Sequence, residues 1–474
     1  MLNTMSHTAR RSFLQNLRHN TKYSNTKEQQ HKSVTTQKCN NTEMQQYRST
    51  IAQKEGFPMI SSQRLKEQLA HLQTLTTPEG KGINRLAFSD ADWQGRAYLM
   101  SLMREAGLFL RTDAFGNVIG HRAGKNEALP AIMCGSHGDS VPEGGNYDGI
   151  VGILAGIEVA RSMQEDGFIN DRPLEIVLFM CEESSRFNSA TLGSKAMRGH
   201  LAEQDLRRLR DKNGNTLYDV LKERDLKPEQ LASAFYTKPL TAFLEIHIEQ
   251  GKVLEHEQLQ LGVVTGIAAP TRLKIHFHGN ADHSGATPMH LRHDGLCAAA
   301  ETILAVERIA SVPTPETSSV VGTVGVVEAT PGALNVVPGE VTIGIDIRSI
   351  SPEKKKAAAK AVREQTEKIC RQRNIPYTVE ELNDDPPVKL DPRMVEFLSQ
   401  CCRDQGKRYK QMPSGAGHDA MHWAGYTPTG MLFLPCKNGI SHNPAESATL
   451  EDITGATQVL EQAIRKLCGR KELL

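Results

Sequence analysis

Imidazole and carboxylate side chains recur in five short segments of this 474-residue chain. The possible metal ligands among them are His137, Asp148, Glu183, His247 and His442. Imidazole and carboxylate donors without a thiolate suit Zn, Mn, Co or Ni better than an iron–sulfur cluster or a structural zinc site. Three imidazoles and two carboxylates suffice for two divalent ions that share one carboxylate, and such a pair can activate water and stabilise an oxyanion. The residue types therefore predict a two-metal hydrolytic site.

Two acidic neighbours of these residues have expected roles of their own. Asp139 lies two positions after His137 and can accept the other ring N–H, which would fix the tautomer of the imidazole. Glu182 precedes Glu183, and adjacent carboxylates are costly to pack as anions unless cations neutralise them. One of the pair can ligate while the other points at a bound water as a general base. Each signal alone also has an ordinary structural reading, because a lone histidine on a strand is usually a core residue.

A scaffold must bring these distant segments together. Apolar runs at residues 128–137, 172–185 and 242–251 predict buried strands, and residues 148–163 predict an amphipathic helix. Strands that alternate with helices predict an α/β layered domain, in which ligands bind at the carboxyl ends of the strands. The candidate ligands lie at such ends or in glycine-bounded loops. Together they therefore indicate a shared metal site more strongly than any one of them does alone.

The chain divides into segments with different patterns. Residues 267–382 read as strand, helix, two strands, helix and strand, which is the order of a ferredoxin-like α+β unit. We therefore expect a catalytic domain formed by residues 58–266 and 383–474 and interrupted by this insert. Residues 1–57 are rich in Asn, Gln, Ser, Thr, Lys and Arg, which predicts a disordered extension. The arginines near its start leave organelle import as an alternative to a cytoplasmic location.

Composition argues against several other classes of protein. The formal net charge is +1, which gives no electrostatic basis for binding nucleic acid. No apolar run approaches the ~20 residues that a membrane-spanning helix needs. The nine cysteines include no C-x-x-C pair, which fits reduced thiols. We expect neither nucleic acid nor membrane as a partner.

The segments also match, in order, those of a known family. Between about residues 60 and 470 they read HGD, GGNYDG, EESSRF, EIHIEQG, ADHSGATPM, NVVPG and SGAGHDA. With them the chain resembles the zinc-dependent hydantoinase/carbamoylase amidases. These are N-carbamoyl-L-amino-acid hydrolases, allantoate amidohydrolases and yeast-type β-alanine synthases, in the aminoacylase/carboxypeptidase clan of metallopeptidases. The resemblance implies a two-metal aminopeptidase-like α/β/α catalytic domain interrupted by a ferredoxin-like lid and dimerisation domain.

The resemblance implies a role for each matching ligand. His137 and His247 would hold one metal ion, and Glu183 and His442 would hold the other. Asp148 would bridge the two ions, which are zinc in the family, with manganese, cobalt or nickel as alternatives. Glu182 would be the catalytic base. Because peptidases of the clan usually have a carboxylate in place of His247, this histidine indicates the amidase branch.

The resemblance also implies the residues that contact a substrate. They are Gln250, Asn335, Arg348, Gly415 and Ala416. Arg348 would pair with a substrate carboxylate, since a guanidinium binds a carboxylate through two parallel hydrogen bonds. His283 would stabilise the oxyanion and would reach in from the insert of a second subunit, which implies a homodimer.

The implied reaction is hydrolysis of a linear C–N bond in a carbamoyl or ureido compound by a metal-bridged hydroxide. N-carbamoyl-L-amino acids are the first expectation, with the amino acid, CO2 and ammonia as products. Allantoate or another ureide is the alternative substrate, and a dipeptidase or aminoacylase of the same clan is a second alternative. A catalytically silent ligand-binding protein on this fold is the third. The sequence leaves the substrate, the native metal and the stereochemical preference open.

Overall fold

The computed structural model describes residues 60–78, 80–311, 314 and 319–469, so the predicted extension at residues 1–57 lies outside it. The strands are β1 (Phe109–Thr112), β2 (Val118–Arg122), β3 (Ala131–His137), β4 (Leu174–Phe179), β5 (Leu240–Ile248), β6 (Leu261–Ile267), β7 (Ala269–His278), β8 (Val321–Thr330), β9 (Glu340–Ser349), β10 (Tyr377–Asp384), β11 (Val388–Lys389), β12 (Tyr409–Ser414) and β13 (Thr429–Leu434). The α-helices are α1 (Ser62–Thr74), α2 (Asp90–Glu105), α3 (Ile150–Glu165), α4 (Leu192–Met197), α5 (Glu203–Arg208), α6 (Leu217–Glu223), α7 (Val253–His256), α8 (Gly295–Ser311), α9 (Pro352–Arg373), α10 (Pro392–Asp404) and α11 (Leu450–Cys468). Short 3₁₀ helices span Pro228–Ala234, Met289–Leu291, Asp419–His422 and Lys437–Gly439. Over these ranges, none of the helices combines the length and the apolar character that a membrane span requires.

The larger sheet has the strand order β1-β2-β4-β3-β5-β13-β6-β11, and β12 pairs with β6. The four central strands β4, β3, β5 and β13 run parallel to one another. Every residue of β3 and β4 is buried, as expected for parallel strands in an α/β layered fold. Helix α3 packs on β3 and β5, and α11 packs on α3. The predicted α/β class is confirmed.

Local sequence features fix the helices that border the site. Helix α3 follows Gly149, whose φ of +66° disfavours any residue with a side chain. A Cβ at Gly149 would also lie 2.4 Å from Nε2 of His137, so glycine leaves room for that ring. Helix α1 is held on α3 by Glu158, a buried carboxylate that accepts the Ser61 N–H at 2.7 Å and the Arg64 guanidinium at 2.8 Å.

The smaller sheet is antiparallel, with the strand order β10-β7-β9-β8. Along the chain its elements run β7, α8, β8, β9, α9 and β10, which confirms the predicted ferredoxin-like order. Strand β9 alternates buried and half-exposed residues because only one face of the sheet packs against the helices. Helix α9 begins after Ser351, whose hydroxyl accepts the Lys354 N–H, and is capped at its carboxyl end by Asn374 in the left-handed conformation.

Two short connections join the smaller sheet to the larger one. The chain enters between β6 and β7 and returns between β10 and β11. Lys355 is only 2% exposed, and its ammonium group lies 2.8 Å from Oδ1 of Asp384 and bonds to the main-chain oxygen of Asp385. The hydroxyl of Thr271, near the start of β7, donates to the same Asp384 carboxylate at 2.6 Å. The Asp384 carboxylate therefore links the leaving strand β10 both to the entering strand β7, through Thr271, and to α9, through Lys355.

Candidate metal and active site

Four of the five side chains predicted as metal ligands surround the carboxylate of the fifth, Asp148. Its Oδ1 lies 3.4 Å from Nε2 of His137 and 2.9 Å from Nε2 of His247. Its Oδ2 lies 3.1 Å from Nε2 of His442, and this nitrogen lies 3.3 Å from Oε1 of Glu183. The donors thus form two groups of three, His137 with Asp148 and His247, and Asp148 with Glu183 and His442.

The fold brings these residues together at one edge of the larger sheet. His137 ends β3, His247 is the penultimate residue of β5, and Glu183 follows β4 after a short turn. Asp148 lies two residues before α3, and His442 lies in the loop between β13 and α11. The carboxyl ends of parallel strands meet at the same edge, which is where an α/β sheet binds its ligands.

Main-chain carbonyls set the tautomers of two of the imidazoles. Nδ1 of His137 lies 3.1 Å from the Asp139 carbonyl oxygen, and Nδ1 of His247 lies 2.9 Å from the Ile248 carbonyl oxygen. A carbonyl only accepts, so the proton of each neutral ring is on Nδ1 and the lone pair is on Nε2. The lone pair of each Nε2 then faces an oxygen of the Asp148 carboxylate. Because two acceptors repel each other, a proton or a cation must lie between them. This arrangement fits a divalent cation, which imidazole and carboxylate ligate well.

The carboxylate of Asp139 has a different contact from the one expected. It lies 3.7 Å from Nδ1 of His137, farther than the main-chain oxygen of the same residue. Its two oxygens instead accept the N–H groups of Glu182 at 3.2 Å and Glu183 at 3.1 Å. Asp139 therefore ties the loop after β3 to the loop after β4, because main-chain donors there satisfy its charge.

The carboxylates at the site have strongly perturbed acidities. Burial favours the neutral form of Asp148, but the imidazoles, His247 foremost, hold the pKa of this carboxyl well below its usual range. Burial raises the pKa of Glu182 well above its usual range, and the Glu183 carboxylate adds to the rise while His137 opposes it. Oε2 of Glu182 lies 3.9 Å from Nε2 of His137, so this carboxyl borders the first donor group.

Four of the five residues predicted to contact substrate lie near this edge. Gln250 donates from Nε2 to Oδ2 of Asp148 at 2.7 Å, and so contacts a candidate ligand. Arg348 donates from Nη1 to the Gly415 carbonyl oxygen at 2.9 Å, which places the end of β9 against the loop after β12. In that loop, the Ala416 N–H donates to the hydroxyl of Ser414 at 3.1 Å.

His283 and Asn335 lie together, at the end of β9 opposite to Arg348. The Ser284 N–H donates to the Asn335 carbonyl oxygen at 3.0 Å, and the main chain of His283 pairs with that of Val336 in an isolated antiparallel β-bridge. Strand β9 starts at Glu340, so about eight residues, or roughly 25 Å of strand, separate this loop pair from Arg348. Within one chain the structure therefore does not bring these two residues beside Arg348.

Two buried residues beside the donor groups were not predicted from the sequence. The His418 ring centroid lies 4.4 Å from that of His247, and burial, reinforced by His247, lowers the pKa of His418 well below its usual range. The Glu446 carboxylate accepts the N–H groups of Tyr147 at 2.9 Å and Asp148 at 3.1 Å. Both residues belong to segments that carry predicted site residues, SGAGHDA and GISHNPAE, and this proximity was the available signal.

Comparison with known proteins places the chain in a family. Peptidase family M20/M25/M40, a metal-dependent family, matches residues 133–466. The N-carbamoyl-L-amino acid amidohydrolase of Geobacillus stearothermophilus is 38% identical over 411 residues, which cover 86% of this chain and 99% of that protein. The ureidoglycolate hydrolase of Arabidopsis thaliana is 37% identical over 415 residues, which cover 86% of this chain and 87% of that protein. The crystal structure of a hydantoinase/carbamoylase family amidase from Burkholderia multivorans matches with a TM-score of 0.81 and 33% identity, over 88% of this chain and 99% of that one. The chain therefore belongs to peptidase family M20/M25/M40 and, within it, to the hydantoinase/carbamoylase amidases.

Proposed function

We propose that this protein hydrolyses N-carbamoyl-L-amino acids with two divalent cations, most simply zinc ions, bound at Asp148. The observation that carries the proposal is that each oxygen of the Asp148 carboxylate faces a different donor group. The names of its relatives support a substrate with a linear carbamoyl or ureido C–N bond. Asp148 would bridge the cations, with His137 and His247 on one side and Glu183 and His442 on the other.

The chain's own residues would carry the proton transfers. Divalent cations at such a site lower the pKa of water and stabilise the negative charge of a tetrahedral oxyanion. Glu182 would accept a proton from the attacking water and deliver it to the departing nitrogen of the amino acid. A C–O bond forms at the carbamoyl carbon as its bond to that nitrogen breaks, and the released carbamate decomposes to CO2 and ammonia.

Residues around the donor groups would orient the substrate. Arg348, beside Gly415 and Ala416, would pair with the carboxylate of the amino-acid part. Gln250 would contribute indirectly, since its amide holds Asp148.

We further propose that residues 267–382 form a lid and dimerisation domain between the catalytic segments 58–266 and 383–474. His283 and Asn335 would then serve the site of a second copy. Nδ1 of His283 accepts the N–H groups of Gly285 at 3.2 Å and Ala286 at 3.1 Å, so a neutral ring carries its proton on Nε2 and can donate to an oxyanion. Strand β8 borders the smaller sheet, and its exposed valines and unpaired edge would suit pairing with a second β8.

The activity test measures ammonia release from N-carbamoyl-L-amino acids by zinc- or manganese-loaded protein, with allantoate, ureidoglycolate and dipeptides in parallel. Preference for N-carbamoyl-L-amino acids supports the proposal. Preference for a ureide would overturn the proposed substrate and leave the proposed hydrolysis of a linear C–N bond in place. Cleavage of dipeptides alone would refute it in favour of a peptidase. Glu182→Gln should keep its bound cations and lose turnover by roughly 10²–10⁴-fold, because it removes only the base. Undiminished turnover would remove Glu182 from that role.

A mixing experiment tests the shared site. Glu182→Gln and His283→Ala should each be nearly inactive alone. A heterodimer of the two would contain one site with both defects and one site with neither. Mixed and re-equilibrated protein should therefore regain up to about one quarter of wild-type activity. A mixture no more active than its components would show that His283 does not act across subunits.

A further inference from the structure

The segment GISHNPAE contains an acidic residue whose contacts reach both donor groups. Glu446 is only 5% exposed. Its Oε1 accepts the N–H groups of Tyr147 at 2.9 Å and Asp148 at 3.1 Å, and its Oε2 accepts the Ser441 hydroxyl at 2.9 Å. That hydroxyl also lies 3.0 Å from Oδ2 of Asp148. One carboxylate thus joins the loop before α3 to the loop before α11, although nearly 300 residues separate them in sequence.

Two neighbouring residues, Gly145 and His442, have features that fit the contacts of Glu446. A Cβ at Gly145 would lie 2.2 Å from Oε1 of Glu446 and 2.3 Å from its Cδ, so a side chain there would displace the carboxylate. His442 has a φ of +53°, a sparsely populated conformation for a residue with a side chain, which persists only where neighbouring contacts fix it. The bond from Ser441 to Glu446 is such a contact, one residue before His442.

Glu446 is not one of the candidate ligands. Its two oxygens are engaged by three donors, and neither of the two donor groups around Asp148 includes it. It holds Asp148 through the main-chain N–H and the His442 loop through Ser441, whose hydroxyl lies between the two carboxylates. A change at Glu446 would therefore move ligands without removing one.

We propose that Glu446 is a positioning residue that aligns the Asp148 carboxylate and the His442 ring for cation binding. The inference rests on the proposed two-cation function. Because Asp148 belongs to both donor groups, a loss of alignment should weaken both cations and not only the one at His442. Groups that orient metal ligands typically change metal affinity by about 10–100-fold when they are removed.

The test measures the two Zn²⁺ dissociation constants by competition with a chromophoric chelator, together with the thermal unfolding midpoint of the cation-free protein. Glu446→Ala should raise both dissociation constants by about 10–100-fold. Glu446→Gln should recover most of the affinity, because its amide oxygen can still accept the Tyr147 and Asp148 N–H groups. Glu451→Gln, at an exposed position in the first turn of α11, removes an equal charge and should bind as wild type does.

The outcomes separate this inference from the function on which it rests. If wild type binds two Zn²⁺ ions and Glu446→Ala binds them equally well, the positioning role is refuted and the proposed function stands. If wild type binds fewer than two, both are refuted. Should Glu446→Ala not fold, Ser441→Ala decides, since it removes the hydroxyl between Glu446 and Asp148. This variant must weaken both ions more than Glu451→Gln does, or the inference is wrong.

Discussion

Arg348→Lys should raise the KM for a carboxylate-bearing substrate while leaving the fold unchanged. A guanidinium has five N–H groups in a rigid fork. Nε and Nη2 donate to the Asp346 carboxylate at 2.8 and 3.2 Å, and Nη1 donates to the Gly415 carbonyl oxygen at 2.9 Å. One N–H on each terminal nitrogen remains, and such a pair matches the two oxygens of a carboxylate.

The expected size of the effect follows from those two N–H groups. A lysine ammonium keeps the positive charge but cannot reproduce the fork, so at least one charge-assisted hydrogen bond to the substrate is lost. Such a bond contributes about 1.5–3 kcal/mol. Since ~1.4 kcal/mol corresponds to a factor of ten, the KM should rise by roughly 10–150-fold with a smaller change in kcat.

The assay compares an N-carbamoyl-L-amino acid with its carboxamide analogue, which lacks the negative charge. Wild type should discriminate strongly between the two, and Arg348→Lys should discriminate less. Arg363→Lys, which alters an exposed ion pair with Glu381 on the same insert, is the matched control and should behave as wild type does. If Arg348→Lys shows an unchanged KM and unchanged discrimination, Arg348 does not bind the carboxylate.

Two further predictions concern the stability of the catalytic domain. Trp423 is fully buried and stacks on Phe243 with ring centroids 5.4 Å apart. Trp423→Ala should therefore lower the free energy of unfolding, measured in urea, by about 3–5 kcal/mol, and Trp423→Phe should lower it clearly less. Equal losses in the two variants would show that the ring volume does not matter. The contact with Glu175 raises the pKa of His121 in the folded protein. The contribution of this contact to stability is therefore complete below the ordinary histidine pKa of ~6.5 and is lost as the pH rises through the higher pKa of the folded state. The stability deficit of His121→Gln should therefore be larger below about pH 6.5 than at alkaline pH, and a deficit that grows with pH would contradict this reasoning.

Local sequence signals predicted the order of the elements and selected the side chains that the structure gathers around Asp148. His137 and His247 stand at the ends of apolar runs, and Asp148 lies between a polar loop and an apolar helix. Strand ends of this kind must meet at one edge of a parallel sheet. The ferredoxin-like insert was predictable for the same reason, because the periodicity of its strands and helices is local.

Contacts between distant loops were not predictable in the same way. The bond between Glu446 and the Asp148 N–H depends on how two loops pack, and no periodicity in the sequence encodes it. The left-handed conformations of Cys181, Gln250 and His442 give no sequence signal, since none of these residues is a glycine. The separation of Asn335 from Arg348 depends on the length of β9, whose bounds the sequence does not fix to the residue.

Cation counting in single variants tests the shared carboxylate most directly. Elemental analysis of protein dialysed against Zn²⁺ should give two ions per chain for wild type. His247→Ala and His442→Ala should each lose one ion, because each histidine belongs to one donor group. Asp148→Ala should lose both ions, since its two oxygens serve both groups. If Asp148→Ala retains an ion that His247→Ala or His442→Ala loses, or if wild type binds only one ion, Asp148 does not bridge a cation pair.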